Sequence, residues 1–315
     1  MLRLIPDDTK IPFMRWRSVT FSISVCLLVL TVLAWGAMGI NYGIDFTGGN
    51  LIEVRHKGGP ADLSELRKVI GGLELGEAQV QGFGQGDDVM IRLPEQPGGD
   101  AAQQVALNKV KDKLGDAYEI RRTEVVGPSV SADLRRDGAI AVVVSLGLVL
   151  IYLWFRFEWQ FAIGAVLTTA HDIVLTMGVI IIFQLQFDLQ SLAAVLTIVG
   201  YSLNDTVVVY DRIRESLRKY KKMPLPELID LSINQTLSRT ICTALTTFMA
   251  VLALFVFGGE ALRGFNFTML VGILIGTYSS IVVSAPMLIF LKLRTGGSPE
   301  GVAKSDAAAA AKARP

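Results

Sequence analysis

Six long apolar runs divide this chain, and charged or polar stretches separate them. The first, Val19 to Ile40, is long enough to cross a bilayer and too long for a signal-peptide core. It reads as an uncleaved transmembrane helix (19–40) that follows a basic N-terminal stretch, 1–18. Five more runs lie at 139–155, 161–183, 189–210, 241–257 and 265–291; the run at 139–155 and the run at 241–257 are at the short end for crossing. The pattern predicts an α-helical integral membrane protein with six transmembrane helices.

Residues 41–137, between the first two runs, have a different rhythm. They open with NYGIDFTGGN, in which Gly43, Gly48 and Gly49 permit turns and Asp45 sits between Ile44 and Phe46. Short apolar stretches predict strands at 51–55, 77–83, 87–93 and 118–126. Helices are predicted at 61–70, where Asp62 and Glu65 are spaced as a variant capping box, and at 100–114. The order β-α-β-β-α-β is that of a ferredoxin-like unit, a small α+β domain with a modest core. His56, beside Lys57, reads as a solvated strand end.

Composition narrows the class. The 315 residues are 51% hydrophobic, and the mean hydropathy is +0.46. That apolar content is concentrated in the six runs, as in a membrane protein. A formal charge of +1 excludes a nucleic-acid partner. Cys26 and Cys242 lie inside apolar runs and form neither a metal motif nor a disulfide framework. No Ser/His/Asp set, Walker loop or metal cluster supports an enzyme, and no organic or metal cofactor is implied.

Charge placement adds orientation. The links 184–188 and 258–264 share one basic residue, Arg263, whereas 211–240 holds Arg212, Arg214, Arg218, Lys219, Lys221, Lys222 and Arg239. By the positive-inside rule, 211–240 and both termini are cytoplasmic and 41–137 lies outside. Within 211–240, Ile213, Leu217 and Tyr220, then Leu228, Ile229 and Leu231 beyond Pro224 and Pro226, predict two short amphipathic helices lying on membrane lipid. The tail at 295–315, rich in Ala, Gly and Lys, is expected to be disordered.

Candidate chemistry lies where polar residues interrupt the runs. Thr197, Tyr201, Asn204, Asp205 and Val208 recur at i, i+4, i+7, i+8 and i+11, one helical face. If Asp211 marks the membrane surface, Asp205 lies roughly 9 Å below it. A carboxylate held there costs about 2.5–3.5 kcal/mol and calls for a partner. Packing and ion-path roles both stay open. Gly164, Thr168, His171, Asp172 and Leu175 repeat the same spacing in the third run. A helix–helix hydrogen bond and an ion-path role are both open for the His171–Asp172 pair. Arg239 stands among Thr236, Thr240, Thr243, Thr246 and Thr247. It is either a cytoplasmic anchor or, through its long stem, the partner of Asp205.

Five segments in order, NYGIDFTGGNLIEVR, VVGPSVSADLRRDG, HDIVLT, GYSLNDTVVVYDRIRE and NQTLSRTICTALTT, resemble the SecF family over roughly residues 15–295. That family supplies the smaller membrane subunit of the SecDF complex in bacterial protein export and belongs to the RND-type (resistance–nodulation–division) transporters. The resemblance implies half of an RND-type transporter, with the 41–137 domain in the periplasm and both termini inside a bacterial inner membrane. It implies a proton-driven motor for late preprotein translocation, with protons as the coupling ion. Asp205 corresponds to the family's proton-carrying carboxylate, with Asn204 beside it, and Arg239 to its basic partner. Gly43, Asp45, Gly48 and Gly49 form the motif that opens the periplasmic domain. The implied partners are SecD as the other half, the SecYEG channel, YajC, and unfolded preprotein at the periplasmic side. Two other readings stay in view. A small-solute exporter of the same type calls for an outer domain with an enclosed apolar pocket. A non-transporting scaffold gives no reason for Asp205, His171 and Asp172 to sit inside spans.

Overall fold

The computed structural model describes residues 6, 9–83, 86–259 and 262–293. Among them, six helices are long and apolar enough to cross a membrane. They build on α1 (Arg17–Met38), α5 (Pro128–Arg156), α6 (Trp159–Ile182), α7 (Leu189–Lys219), α8 (Leu225–Phe257) and α9 with α10 (Arg263–Val282, Ser284–Phe290). The described residues fall into two compact units, one drawn from Met1–Gly39, Val144–Leu185 and Ala193–Pro315, the other from Ile40–Val143 and Gln186–Leu192.

The second unit holds the insert. Its elements are a one-turn helix α2 (Ile44–Thr47), β1 (Gly49–His56), α3 (Leu63–Gly71), β2 (Gln79–Phe83), β3 (Asp88–Leu93), α4 (Gly99–Leu114) and β4 (Tyr118–Val126). All pairings are antiparallel and the sheet order is β2-β3-β1-β4. That order, with the element sequence β-α-β-β-α-β, is the ferredoxin-like arrangement expected. Period two explains the core: Ile52 and Val54 of β1 and Val89, Ile91 and Leu93 of β3 point one way. They meet Leu66 and Ile70 of α3 and Leu107, Val110 and Leu114 of α4. Asp62 caps α3, its Oδ1 accepting from the Ser64 and Glu65 amides at 2.8 and 3.0 Å. On the opposite face, Arg55 makes a two-pronged contact with Asp88 at 2.8 and 2.6 Å.

In the first unit, small residues set how closely helices approach. A Cβ at Gly178 of α6 would overlap Thr31 of α1, and one at Gly272 of α9 would overlap Ile198 of α7. Gly276, one turn on, lies against Ser202 Cβ, which a Cβ there would meet at 3.2 Å. Gly272 and Gly276 form a small-xxx-small stripe of the kind that lets helices pack backbone to backbone within a bilayer.

Three expectations need correction. The segment 211–240 is not two separate surface helices. α7 runs on to Lys219 and α8 already starts at Leu225, so the basic residues ride on extensions of the spans. Ile213, Leu228, Ile229, Ile233 and Leu237 bury one another in a shared core, and Ser232 donates to Ser216 at 3.0 Å. Their apolar stripes face protein rather than lipid. Likewise α5 begins at Pro128, well before the apolar run at 139–155. The last run is broken at Val283, between α9 and α10, because Pro286 offers no N–H to the carbonyl four residues back and its ring crowds that carbonyl. The tail at 295–315 lies outside the described residues.

Candidate functional site

The stripe on α6 behaves as its spacing predicts: Gly164, Thr168, His171, Asp172 and Leu175 are all buried. Asp172 is 0% exposed. Its Oδ1 is 2.9 Å from His171 Nδ1, and its Oδ2 accepts from Ser202 Oγ at 2.5 Å and Ser279 Oγ at 2.7 Å. Three helices, α6, α7 and α9, thus meet at one carboxylate. The Gly272–Gly276 stripe makes this possible, since Ser279 follows on the same side of α9 that presses on Ile198 and Ser202.

Asp205 lies one turn beyond Ser202 on α7 and is 3% exposed. Thr243 Oγ1 of α8 approaches its Oδ1 at 3.5 Å, and Thr240 of the same helix lies beside the carboxylate. Its Oδ2 is buried without a partner among the described residues, and so is the hydroxyl of Thr240. Asp205 thus has fewer close hydrogen-bond partners than Asp172, whose two oxygens are both engaged.

Arg239 does not pair with Asp205 in this conformation. No ion pair within 4 Å joins them among the described residues, and Arg239 is exposed. It stands next to Thr240 and one turn before Thr243, so it flanks the site without closing it. Asn204 is also exposed. The face drawn through Thr197, Tyr201, Asn204 and Asp205 straddles a boundary: Thr197 and Asn204 lie on the open side of α7, and Asp205 on the packed side.

The opening motif proves to be a mechanical grip. Gly43 N donates to Phe187 O at 2.7 Å, and Phe187 N to Asn41 O at 2.8 Å. Phe46 stacks on Phe187 with ring centroids 5.5 Å apart. Asp45 Oδ2 accepts from Leu189 N at 2.9 Å, capping the first turn of α7 from a distant part of the chain. A Cβ at Gly43 would meet Asp188 Cβ at 3.1 Å and Phe187 O at 3.2 Å. Gly48 and Gly49 take φ of 73° and 115°, conformations that favour glycine, and a Cβ at Gly49 would strike the Leu93 carbonyl. Arg92 of β3 closes the grip from the sheet, donating to Asn41 Oδ1 and Tyr42 O at 3.2 and 3.1 Å. Burial pushes its pKa below the usual guanidinium range, against the opposing pull of Asp188.

Comparison with known proteins decides the family. The model for the C-terminal region of the protein export membrane protein SecD/SecF matches residues 106–294, and the SecD/SecF GG motif matches 33–55. The chain belongs to the SecD/SecF family. The GG motif of that family is thus the grip just described, with Gly48 and Gly49 at its end. Among SecD/SecF relatives, the protein translocase subunit SecF of Rickettsia bellii is 44% identical over 91% of this chain and 95% of its own length. The protein translocase subunit SecDF of Brucella abortus is 45% identical over 93% of this chain, which spans only 39% of that longer protein. A crystal structure of SecDF from Thermus thermophilus, described as a translocon-associated membrane protein, superposes with a TM-score of 0.83 at 36% identity. It covers 92% of this chain and 40% of that one.

Sequence reading missed Ser202, Ser279, Thr240 and Thr243 as neighbours of the two carboxylates. The available signal was the GILIG spacing at 272–276, which marks the face of α9 that touches α7. Among the described residues no cluster of three His, Cys, Asp or Glu comes together to hold a metal.

Proposed function

We propose that this chain is a SecF-type subunit of the bacterial Sec export machinery, and that it couples proton movement at Asp205 to late preprotein translocation. Family membership supports the export role. The observation that carries the coupling is the state of Asp205: buried, with only threonine hydroxyls of α8 beside it and no ion pair within 4 Å among the described residues. Such a group suits reversible protonation better than permanent structure. Arg239 beside the site supplies a second state. When it swings to Asp205 it favours the carboxylate form, and when it withdraws, as here, the proton can be held. One proton crossing is worth about 2.3 kcal/mol per 100 mV, enough to bias a two-state helix arrangement.

The relatives support a SecD partner. Those spanning both SecD and SecF are more than twice this chain's length, and the six helices here form one set. A SecD half would therefore cover the open side of α7 that carries Thr197 and Asn204. The translocating preprotein, the SecYEG channel and YajC complete the assembly in a bacterial inner membrane. The insert domain is then periplasmic and the α7–α8 turn cytoplasmic.

The test is export into inverted membrane vesicles with and without a proton gradient. Asp205→Asn should assemble normally and lose the gradient-dependent stimulation. Arg239→Met should lose most of it. A gradient response in Asp205→Asn equal to that of the parent rejects the coupling role.

A further inference from the structure

The proton-coupled reading uses Asp205 and leaves His171 and Asp172 without a task. Yet they form the most enclosed group of titratable side chains among the described residues of the helical unit. Asp172 is 0% exposed and His171 7%. Asp172 takes hydrogen bonds from two hydroxyls on two other helices and shares a third with His171 Nδ1. No Lys or Arg lies within 4 Å of it among the described residues. Two hydroxyls and one imidazole nitrogen meet the carboxyl group, and with Asp172 ionised the imidazole alongside is the group able to balance its charge.

The imidazole contact has a specific property. With Asp172 ionised, Nδ1–H donates to it in both the neutral and the cationic ring, and the two forms then differ only at Nε2. That nitrogen is buried and has no partner among the described residues. A proton arriving from water bonds to the Nε2 lone pair, the ring becomes imidazolium, and the pair passes from net −1 to neutral. Leaving, the proton returns to water and the lone pair is restored. No hydrogen bond around Asp172 need break.

We propose that the His171–Asp172 pair is a second proton-binding site inside the helix bundle, with its exchangeable proton on His171 Nε2. Ser202 ties this site to α7 one turn before Asp205, so occupancy of one site is felt at the other. The groups around the pair are few. α7 brings Tyr201, Asp205 and Tyr210, the last donating to Ser284 O. α9 brings Tyr278, which is engaged with Ser24 and Thr20 of α1. α1 otherwise carries only Arg17, in its first turn, and the exposed Cys26, and α10 carries no titratable side chain. α8 contributes Arg239, which is exposed. The inference rests on the proton-coupled reading only for its use in export; proton binding itself is tested separately.

The chain has two histidines, so His56→Gln leaves His171 as the single imidazole. This full-length protein, purified by a histidine-free tag and labelled with ¹⁵N-histidine, gives one Nε2 resonance. That resonance should move from the neutral to the protonated position within the pH window over which the protein stays folded. Asp172→Asn or, where that variant does not fold, Ser202→Ala should displace the midpoint by roughly one pH unit or more. A resonance constant across that window overturns the site, as does a midpoint unchanged in the folded variant. In export assays, His171→Gln keeps a hydrogen-bond donor and cannot gain the charge. It should assemble normally and shift the pH profile of gradient-dependent export. An unshifted profile in His171→Gln removes the pair from the export cycle. Asp205→Asn should leave the His171 titration in place. If that variant still responds to the gradient while His171 titrates, the coupling role of Asp205 fails and the second site stands.

Discussion

Asp172 and Asp205 lie on adjoining helices and differ in the number of donors that reach them. Two serines and a histidine surround the first, and two threonines of α8 stand beside the second. The outer domain offers a simpler case of the same physics. Arg55 holds the Asp88 carboxyl below the usual carboxylate range, chiefly by direct hydrogen bonds. A lowered pKa in the folded state means stability that is present above about pH 4 and lost as pH falls through the folded value. Asp88→Asn should therefore cost the insert domain about 1 kcal/mol at pH 7, and the gap to the parent should close at about pH 2. Thermal melts at the two pH values, followed by a probe in the domain, check this. Gly49→Ala belongs at the same scale. It places a Cβ on the Leu93 carbonyl at a φ of 115°, so it should destabilise the domain by about 2 kcal/mol or more.

Among elements, α7 does the most. Its start is capped by Asp45, its middle is held by Ser202 and pressed by Gly272 and Gly276, and its far end joins the core shared with α8. Asp45→Ala should expose the Leu189 amide at a cost of about 1 kcal/mol. Hydrogen exchange should then quicken in the first turn of α7 and stay unchanged near Asp205. The extension of α8 ahead of its apolar run makes a sharper prediction. Leu228 is fully buried, so Leu228→Ala should cost about 2–5 kcal/mol, as core truncations do. A residue on a surface-lying helix would lose far less, and chemical denaturation in detergent separates the two cases.

For the whole molecule, the question is which side of the membrane each unit occupies. Cysteine probes placed at the exposed Lys109 and Lys221, in a background lacking Cys26 and Cys242, decide it. A reagent confined to the outside should label the first and spare the second. The converse pattern would overturn the proposed orientation. The open, apolar outer faces of α1, α5 and α8 fit lipid and a partner half together. Affinity capture of the tagged chain should therefore bring down a second set of six spans.

Periodicity alone determined the six spans, the β-α-β-β-α-β order of the insert, and the stripes that carry Asp172 and Asp205. Each of these is local: a bilayer demands about twenty apolar residues, and a pleated strand demands period two. The capping by Asp62 and the glycine turns at 48 and 49 were legible for the same reason. What depended on distant partners was not. A helical repeat says that His171, Asp172 and Asp205 share faces with small residues, but not which helix lies opposite. Only packing brought Ser202 and Ser279 to Asp172, left Asp205 with an open oxygen, and kept Arg239 out of contact. Packing also turned the amphipathic 211–240 segment from surface helices into extended spans. An apolar stripe is satisfied equally by lipid or by protein, and only the tertiary structure decides which one covers it.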